Sequence, residues 1–328
     1  MPPALLSSDA DGYISLFASE MALVLVVALA LTALAARRLG AWPVPTFTFA
    51  AAAILLYPVS VTRYDAVVAL TLALAALCAT LGGRYLLLAY GSLGLGAAAK
   101  LVPALATLPL ALIRRRLAAA GYSVFFGALV TFFAPALLLG GGGFLKSFAY
   151  HAQRGLQVES LPSSVLMKMG WVNGIVFEYG AFEARGRGVE LASSLSLPVT
   201  GLLLLLSGLA MYREHRAGRL AGAEFPRYAA ALILAFMLGS KVLSPQYLIW
   251  LLPLVPLCAG GLLGAGACAL FLAACLTTTL VFPFYYGELL NLQPPAIDLL
   301  LGRNLLLVLL WALMLCVPAR RDTGGKPS

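Results

Sequence analysis

The sequence predicts an all-α fold, a polytopic transmembrane helix bundle of about 11 crossings that include two pairs of short or broken helices. Composition is the first reason. Of 328 residues 62% are hydrophobic and 11% charged, with a mean hydropathy of +0.95. A soluble domain carries about 25% charged residues, so a globule of this make-up would expose apolar surface and aggregate. The second reason is patterning, because the apolar residues fall in runs close to the roughly 20 needed to cross a bilayer. The third is charge placement. Basic residues cluster between those runs, at Arg37-Arg38, Arg114-Arg115-Arg116, Arg213 to Arg219 and Arg320-Arg321, as expected of loops kept on the cytoplasmic side. The net charge of +9 therefore belongs to topology. A nucleic-acid reader would show a contiguous basic face with interleaved aromatics, and no nucleic-acid partner is expected.

In chain order the spans are Leu16–Ala36, Ala41–Val59, Tyr64–Leu81, Gly121–Leu139, Leu191–Met211, Leu262–Pro283 and Ala296–Val317. Tyr85–Ile113 is too long for one of them: as a single helix it would run about 43 Å, against a hydrocarbon core of about 30 Å. Gly91, Gly94, Gly96, Lys100, Pro103 and Pro109 favour a break within it. Tyr228–Ala259 is similar, interrupted by Lys241 and Ser244-Pro245-Gln246. Reading each long stretch as two short helices puts every basic run on one side, which becomes strongly positive while the other stays near neutral. Re-entrant hairpins would satisfy the same parity.

The N-terminus then lies outside, with Asp9, Asp11 and Glu20 before Arg37-Arg38. Bacterial multispan chains more often begin inside, so one further upstream span and loop are expected, and the chain reads as N-terminally shortened. It forms a single membrane-embedded domain, 1–328, with an outer loop at 140–190 and a cytoplasmic tail at 319–328. The loop is rich in Trp, Tyr, Phe and mixed charge, which suggests an ordered segment against the membrane. Cys78, Cys258, Cys268, Cys275 and Cys316 lie in or beside apolar runs without a CxxC pair, far from His151 and His215. They read as small buried hydrophobes. No metal or other cofactor is expected.

Ionisable groups at membrane depth cost roughly 2.5–3.5 kcal/mol each on insertion scales, so each needs a partner or a task. Arg63-Tyr64-Asp65 reads either as an interfacial ion pair with an aromatic anchor or as Arg63 meeting phosphate and Asp65 orienting a hydroxyl or a basic side chain. Lys100 follows Gly94-Leu-Gly-Ala-Ala-Ala, whose small residues suit close helix packing; no strand precedes it to make a dinucleotide fingerprint. Its ammonium either snorkels to the surface or binds an anion. Lys241 repeats the device beside Ser244, Pro245, Gln246 and Tyr247, and a polar break of that kind is tolerated only where it lines a cavity or is buried in protein. Two such lysines on one face suit a phosphate or diphosphate. Tyr150-His151 through Arg154, Gln157, Glu159 and Ser160 add groups suited to sugar hydroxyls and phosphate oxygens. Glu178 and Tyr179, and Asp298 with Arg303, are further candidates, for which structural pairing is the favoured reading over a role in the chemistry.

Taken together, Arg63-Tyr64-Asp65, Ala99-Lys100-Leu-Val-Pro103, Tyr150-His151 to Ser160 and Lys241-Val-Leu-Ser244-Pro245-Gln246-Tyr247 resemble the GT-C superfamily of multispan glycosyltransferases. Within it the likeness is to the bacterial α-mannosyltransferase branch that uses polyprenyl-phosphate mannose. The resemblance implies transfer of a sugar from a polyprenyl-phosphate donor to a glycan or glycolipid acceptor, with inversion, on the outer face of the plasma membrane. It implies an acidic base in a first outer loop ending near Tyr-Pro-Pro, and Met1-Pro2-Pro3 lacks most of that loop. Lys100, Lys241, Arg154 and Arg63 are then expected at the donor phosphate, and Asp65 and Glu159 are the candidate catalytic carboxylates. His151, Gln157, Ser160, Ser244, Gln246 and Tyr247 are expected to bind substrate, and membrane lipid surrounds the whole. A transporter or flippase is the rival class, since broken helices with charges also mark transport sites.

Overall fold

The computed structural model describes residues 9–258 and 260–316, with the backbone alone at 136, 137, 139 and 141–153. Met1-Pro2-Pro3, Arg320-Arg321 and the tail at 319–328 lie outside the described residues, as does the side chain of His151. Helices dominate. The first, Ala10–Arg38, is capped by Asp9, whose side chain accepts from the Gly12 N–H, and it carries Asp11 in its first turn and Arg37 and Arg38 in its last. Acid at the start and base at the end both complement the helix dipole. Val44–Leu55 and a single turn at Tyr57–Ser60 lead to Asp65–Leu81, and Gly82 and Gly83, both at positive φ, then turn the chain into Tyr85–Ala99.

Among the described residues five helices are long and apolar enough to cross a membrane: Ala10–Arg38, Arg115–Pro135 within Arg115–Gln153, Val189–Arg216, Gly261–Phe284 and Pro294–Cys316. Their outward side chains, Leu23, Val26, Phe132, Leu138, Leu197 and Leu262 among them, are exposed, as lipid-facing surface should be. Phe225–Gly239 is buried along nearly its whole length and runs through the centre. Small residues set the helix spacing beside it. A Cβ on Gly94 would lie 2.4 Å from the Phe125 carbonyl oxygen, and one on Gly96 would lie 2.3 Å from Thr71 Oγ1. Only glycine allows those backbones to approach so closely.

The break expected in Tyr85–Ile113 falls at Lys100, whose backbone is extended (φ −153°, ψ 134°) between Tyr85–Ala99 and a 3₁₀ turn at Val102–Ala106. The second long stretch differs from expectation. Phe225–Gly239 is helical, but beyond Lys241 the chain forms 3₁₀ turns at Pro245–Leu251 and Pro256–Cys258 instead of a second α-helix. Pro245, Pro253 and Pro256 each remove a donor that an α-helix would need. The loop boundary differs as well. Helix Arg115–Gln153 continues through Gly140 to Gly143, so the irregular connection begins at Arg154. Glycine costs a helix about 1 kcal/mol per position and, unlike proline, does not forbid it. Cys78, Cys268 and Cys275 are buried as expected, whereas Cys316 is exposed.

After Arg154 the chain forms helix Leu161–Lys168 and an antiparallel hairpin, β1 Val172–Glu178 and β2 Ala181–Gly186, with Phe177 opposite Phe182. Tyr179 and Gly180 both take positive φ, the two-residue turn that matches the twist of a hairpin. The stretch before Leu161 runs beside β2, with Val158 N–H donating to Phe182 O at 3.0 Å and Ala184 N–H to Leu156 O at 2.9 Å. Leu156, Val158, Val172 and Ala184 fill a second apolar core with Val281, Leu289 and Leu300.

The bundle has two distinct ends. Arg37 and Arg38 lie beside Leu77 and Leu81, and at the same end Gly222 packs on the Ala79 carbonyl. There Arg227 donates to the carbonyls of Met314 and Leu315 at 2.7 and 3.2 Å and pairs with Glu224 at 2.9 Å. Asp65 begins the helix that Leu81 ends, about 24 Å away along its axis. Lys100, Gln157 and Ser244 gather at the Asp65 end.

Candidate functional site

Asp65 opens its helix with a buried carboxylate, 2% exposed. One oxygen, Oδ1, accepts from Lys100 Nζ at 2.7 Å and from Trp250 Nε1 at 2.6 Å. Trp250 stacks on Tyr247 with ring centroids 4.1 Å apart, and the Lys100 ammonium stands 5.4 and 5.3 Å from those two rings. A cation over aromatic faces is attracted by their quadrupoles, so the carboxylate and the rings hold the lysine together. The ion pair contemplated between Arg63 and Asp65 is replaced by this arrangement, and Arg63 sits exposed on a cavity wall.

A second joint ties the 154–160 segment to the break after Gly239. Gln157 N–H donates to Lys241 O at 3.0 Å, and Leu243 N–H donates to Gln157 Oε1 at 3.0 Å. Ser244 Oγ lies 3.1 Å from Gln157 Nε2. Lys241 Nζ donates to the Arg154 carbonyl. Gly155 packs closely here: its N–H donates to Glu183 Oε1 at 2.7 Å, and an added Cβ would stand 2.3 Å from Glu183 Oε2 and displace that carboxylate. Side chains alternate along the segment. Leu156 and Val158 enter the apolar core, while Gln157 and Glu159 line the cavity.

Glu159 is 2% exposed and accepts from Gln157 Nε2. Burial pushes its carboxyl up to about 7, against the opposing pull of Arg303, the Gln157 hydrogen bond and Arg154. Burial disfavours the charged form, and a carboxyl near neutrality is placed to take up and release protons. Arg303, 1% exposed, donates through Nη2 to the Glu159 carbonyl at 2.7 Å, and Asn304 reaches Ser164 Oγ at 2.9 Å. The pairing read for Asp298 with Arg303 is corrected by this geometry, since Asp298 instead meets Lys168 on the surface. Glu178 pairs with Arg185 across the hairpin at 2.5 Å.

Two cavities meet at these residues. One, of about 590 Å³, is lined by Arg63, Lys100, Arg154, Gln157, Glu159, Ser244, Gln246 and Tyr247, and by Phe177, Tyr179, Phe182, Phe282 and Tyr286. The other, of about 460 Å³, is lined by Lys100, Arg154 and Lys241 with Ala97, Leu101, Val102, Phe133, Phe236 and Val242. Lys100, Arg154 and Tyr247 belong to both. Lys100 and Lys241, separated by 141 positions in the sequence, thus line one chamber. Ser160 stands apart, fully buried as the N-cap of Leu161–Lys168, its Oγ accepting from Ser163 N–H. Among the described residues no three His, Cys, Asp or Glu side chains gather in a metal-binding group.

Trp250, Arg303 and the hairpin aromatics are absent from the residues picked out by sequence as binding groups. Trp250 lies in an apolar run, where nothing marks its indole N–H as a partner for a carboxylate 185 positions away. The hairpin did leave a signal: Ile175-Val-Phe177 and Ala181-Phe182 flank Tyr179-Gly180, a strand-turn-strand composition.

The model of one protein family, glycosyltransferase family 87, matches residues 1–245. The matched part contains Asp65, Lys100, Arg154, Glu159 and Lys241, while Tyr247, Trp250, Tyr286 and Arg303 lie beyond it. Searches of curated proteins and of solved structures gave no match.

Proposed function

The chain belongs to glycosyltransferase family 87, and on that premise we propose that this membrane glycosyltransferase moves mannose from a polyprenyl-phosphate donor to a hydroxyl of a glycolipid or polysaccharide. The reaction is placed on the extracytoplasmic side of the plasma membrane. One observation carries the donor assignment: Lys100, Lys241 and Arg154 line a single chamber whose other walls are mostly apolar, with Ser240 and Tyr247 among them. Cations beside an apolar slot suit an anionic head on a hydrocarbon chain. The side is supported by the clustering of Arg37, Arg38 and Arg227 at the far end of the bundle, since such residues stay cytoplasmic.

In this mechanism the acceptor oxygen attacks the anomeric carbon as the bond from that carbon to the phosphate oxygen breaks. The bonding pair leaves on the phosphate. Lys100, Arg154 and Lys241 stabilise that charge as it develops, with Arg63 on the rim of the adjoining cavity. Glu159 takes the hydroxyl proton, and a single displacement inverts the sugar carbon. Asp65 holds Lys100 in position, its Oδ1 shared between Lys100 and Trp250.

Reconstitution in vesicles with radiolabelled polyprenyl-phosphate mannose and a mixed glycolipid extract tests the proposal. The expected result is a labelled covalent product, reduced about 10²–10³-fold by Lys241→Ala. Exchange of intact donor across the vesicle without covalent product would overturn it in favour of transport.

A further inference from the structure

The end of the bundle away from Asp65 carries a groove that the transfer reaction leaves unused. It has a volume of about 430 Å³ and is lined by Leu34, Arg37, Arg38, Leu77 and Leu81. Helices Ala10–Arg38 and Asp65–Leu81 pack against each other, and both finish here. Leu34, Arg37 and Arg38 fall at i, i+3 and i+4 and so share one face, while Leu77 and Leu81 are one turn apart on the facing helix. The groove is therefore layered by depth. Leu34 lies about 6 Å further into the bundle than Arg38, and Leu77 about 6 Å further than Leu81. Two guanidiniums stand at the rim above an apolar slot.

Cations in a last turn complement the helix dipole, which accounts for arginines here and equally for Arg213 and Arg216 at the end of Val189–Arg216. Two further features single out this pair. Arg219 and Arg227 have carboxylates of their own, Glu214 at 2.7 Å and Glu224 at 2.9 Å. Among the described residues no carboxylate pairs with Arg37 or Arg38 in that way. The second feature is Trp42, 46% exposed, whose ring centre lies 4.8 Å from the Arg37 guanidinium carbon. An indole settles at the level of lipid headgroups. An arginine stacked by its face still presents its N–H edge for a bidentate grip on an oxyanion.

We infer that this groove binds an anionic phospholipid, with the headgroup phosphate at Arg37 and Arg38 and an acyl chain against Leu34, Leu77 and Leu81. Charge complementarity selects the lipid. A zwitterionic headgroup brings an ammonium that offsets the attraction of its phosphate, whereas a headgroup of net negative charge keeps it. A soluble phosphate would satisfy the rim and gain nothing from the slot. The groove lies about 24 Å from Asp65 along the helix that joins them, so the inference does not depend on the proposed reaction.

Displacement of a fluorescent phosphatidylglycerol from the full chain in a neutral detergent tests it. Unlabelled dioleoyl phosphatidylglycerol should compete about 10–30-fold better than dioleoyl phosphatidylcholine, and glycerol phosphate, a headgroup without chains, should not compete. Arg37→Gln combined with Arg38→Gln should abolish the preference, while Arg213→Gln combined with Arg216→Gln should retain it. Leu77→Trp keeps both charges and crowds the slot, and should weaken phosphatidylglycerol about fourfold, the worth of one methylene contact. If the glutamine pair does not fold, Arg37→Lys with Arg38→Lys keeps the charge that topology needs and should still weaken binding by losing the bidentate grip. Equal competition by the two lipids would overturn the inference, as would a preference that survives the arginine substitutions or binding unmoved by Leu77→Trp. Competition by glycerol phosphate as strong as by the lipid would overturn it in favour of a soluble phosphate. A preference lost equally in the Arg213 and Arg216 variant would overturn it in favour of diffuse surface charge. Each outcome is read from lipid binding and stands whether or not the chain transfers mannose.

Discussion

The guanidinium of Arg303 reaches across from the last helix to donate to the backbone carbonyl of Glu159 at 2.7 Å. A buried cation is thus fastened to the residue whose carboxyl lines the cavity, and it favours the ionised form of that carboxyl. The other groups about Glu159 are Gln157, Arg154, Tyr247 and Tyr286, with Arg63, Lys100 and Tyr179 on the same cavity wall. With the carboxyl pushed up to about 7, a base there is inactive when protonated, so kcat/KM should rise with pH through that value and then level off. Glu159→Gln should lose about 10²–10⁴-fold together with the limb. Arg303→Met removes a cation that pulls the carboxyl down, and the limb should move to higher pH. A fall in the plateau with the limb unmoved would make Arg303 purely structural.

Lys100 has two jobs that can be separated. Lys100→Ala leaves the buried Asp65 with Trp250 as its remaining donor, and an uncompensated buried charge is destabilising. Adding Asp65→Asn should restore most of the lost melting temperature in detergent without restoring transfer. Equal melting of the single and double variants would show that the ion pair matters little to folding.

Two glycines on packed helices, one in Tyr85–Ala99 and one in Arg115–Gln153, make a matched pair. Gly94→Ala drives a methyl against the backbone oxygen of Phe125, which cannot step aside, and should cost about 1–3 kcal/mol by overpacking. Gly127→Ala meets nothing within 4 Å and should be neutral or stabilising by about 0.4–1 kcal/mol. Thermal melts of the two proteins side by side check the contrast.

Ser160→Ala should cost about 0.5–2 kcal/mol of stability through loss of a helix cap and leave both KM values unchanged. Gln157→Leu, which unfastens the 154–160 segment from Leu243 and Ser244, should lower kcat much more at similar melting temperature. A raised KM in Ser160→Ala would return that hydroxyl to the substrate.

The helical fold, the break at Lys100 and the polar gap after Gly239 were legible in the sequence because each is written locally. Apolar runs set the spans, and glycine, proline and lysine mark the interruptions. Charge parity put Lys100 and Lys241 on one face of the membrane, and the fold brings them to one chamber. What escaped notice depends on distance or on period. The Asp65–Trp250 bond joins segments 185 residues apart and leaves no mark in either. The continuation of helix Arg115–Gln153 through Gly140 to Gly143 runs against the usual meaning of glycine. The hairpin's alternation was masked by the loop's mixed polarity, and Arg303 was assigned to its sequence neighbour Asp298 although its partner comes from the 154–160 segment.

Arg227 has a consequence for how the chain is made. Its partners, the carbonyls of Met314 and Leu315, are 87 and 88 residues downstream. At ribosomal speeds of about 5–20 residues per second, the arginine waits roughly 4–18 s before they emerge. Glu224, one helical turn earlier, is synthesised first and can neutralise it throughout that interval. Helix Pro294–Cys316 therefore arrives at a neutralised docking point prepared in advance, and its seating supplies the carbonyls that Arg227 has been waiting for.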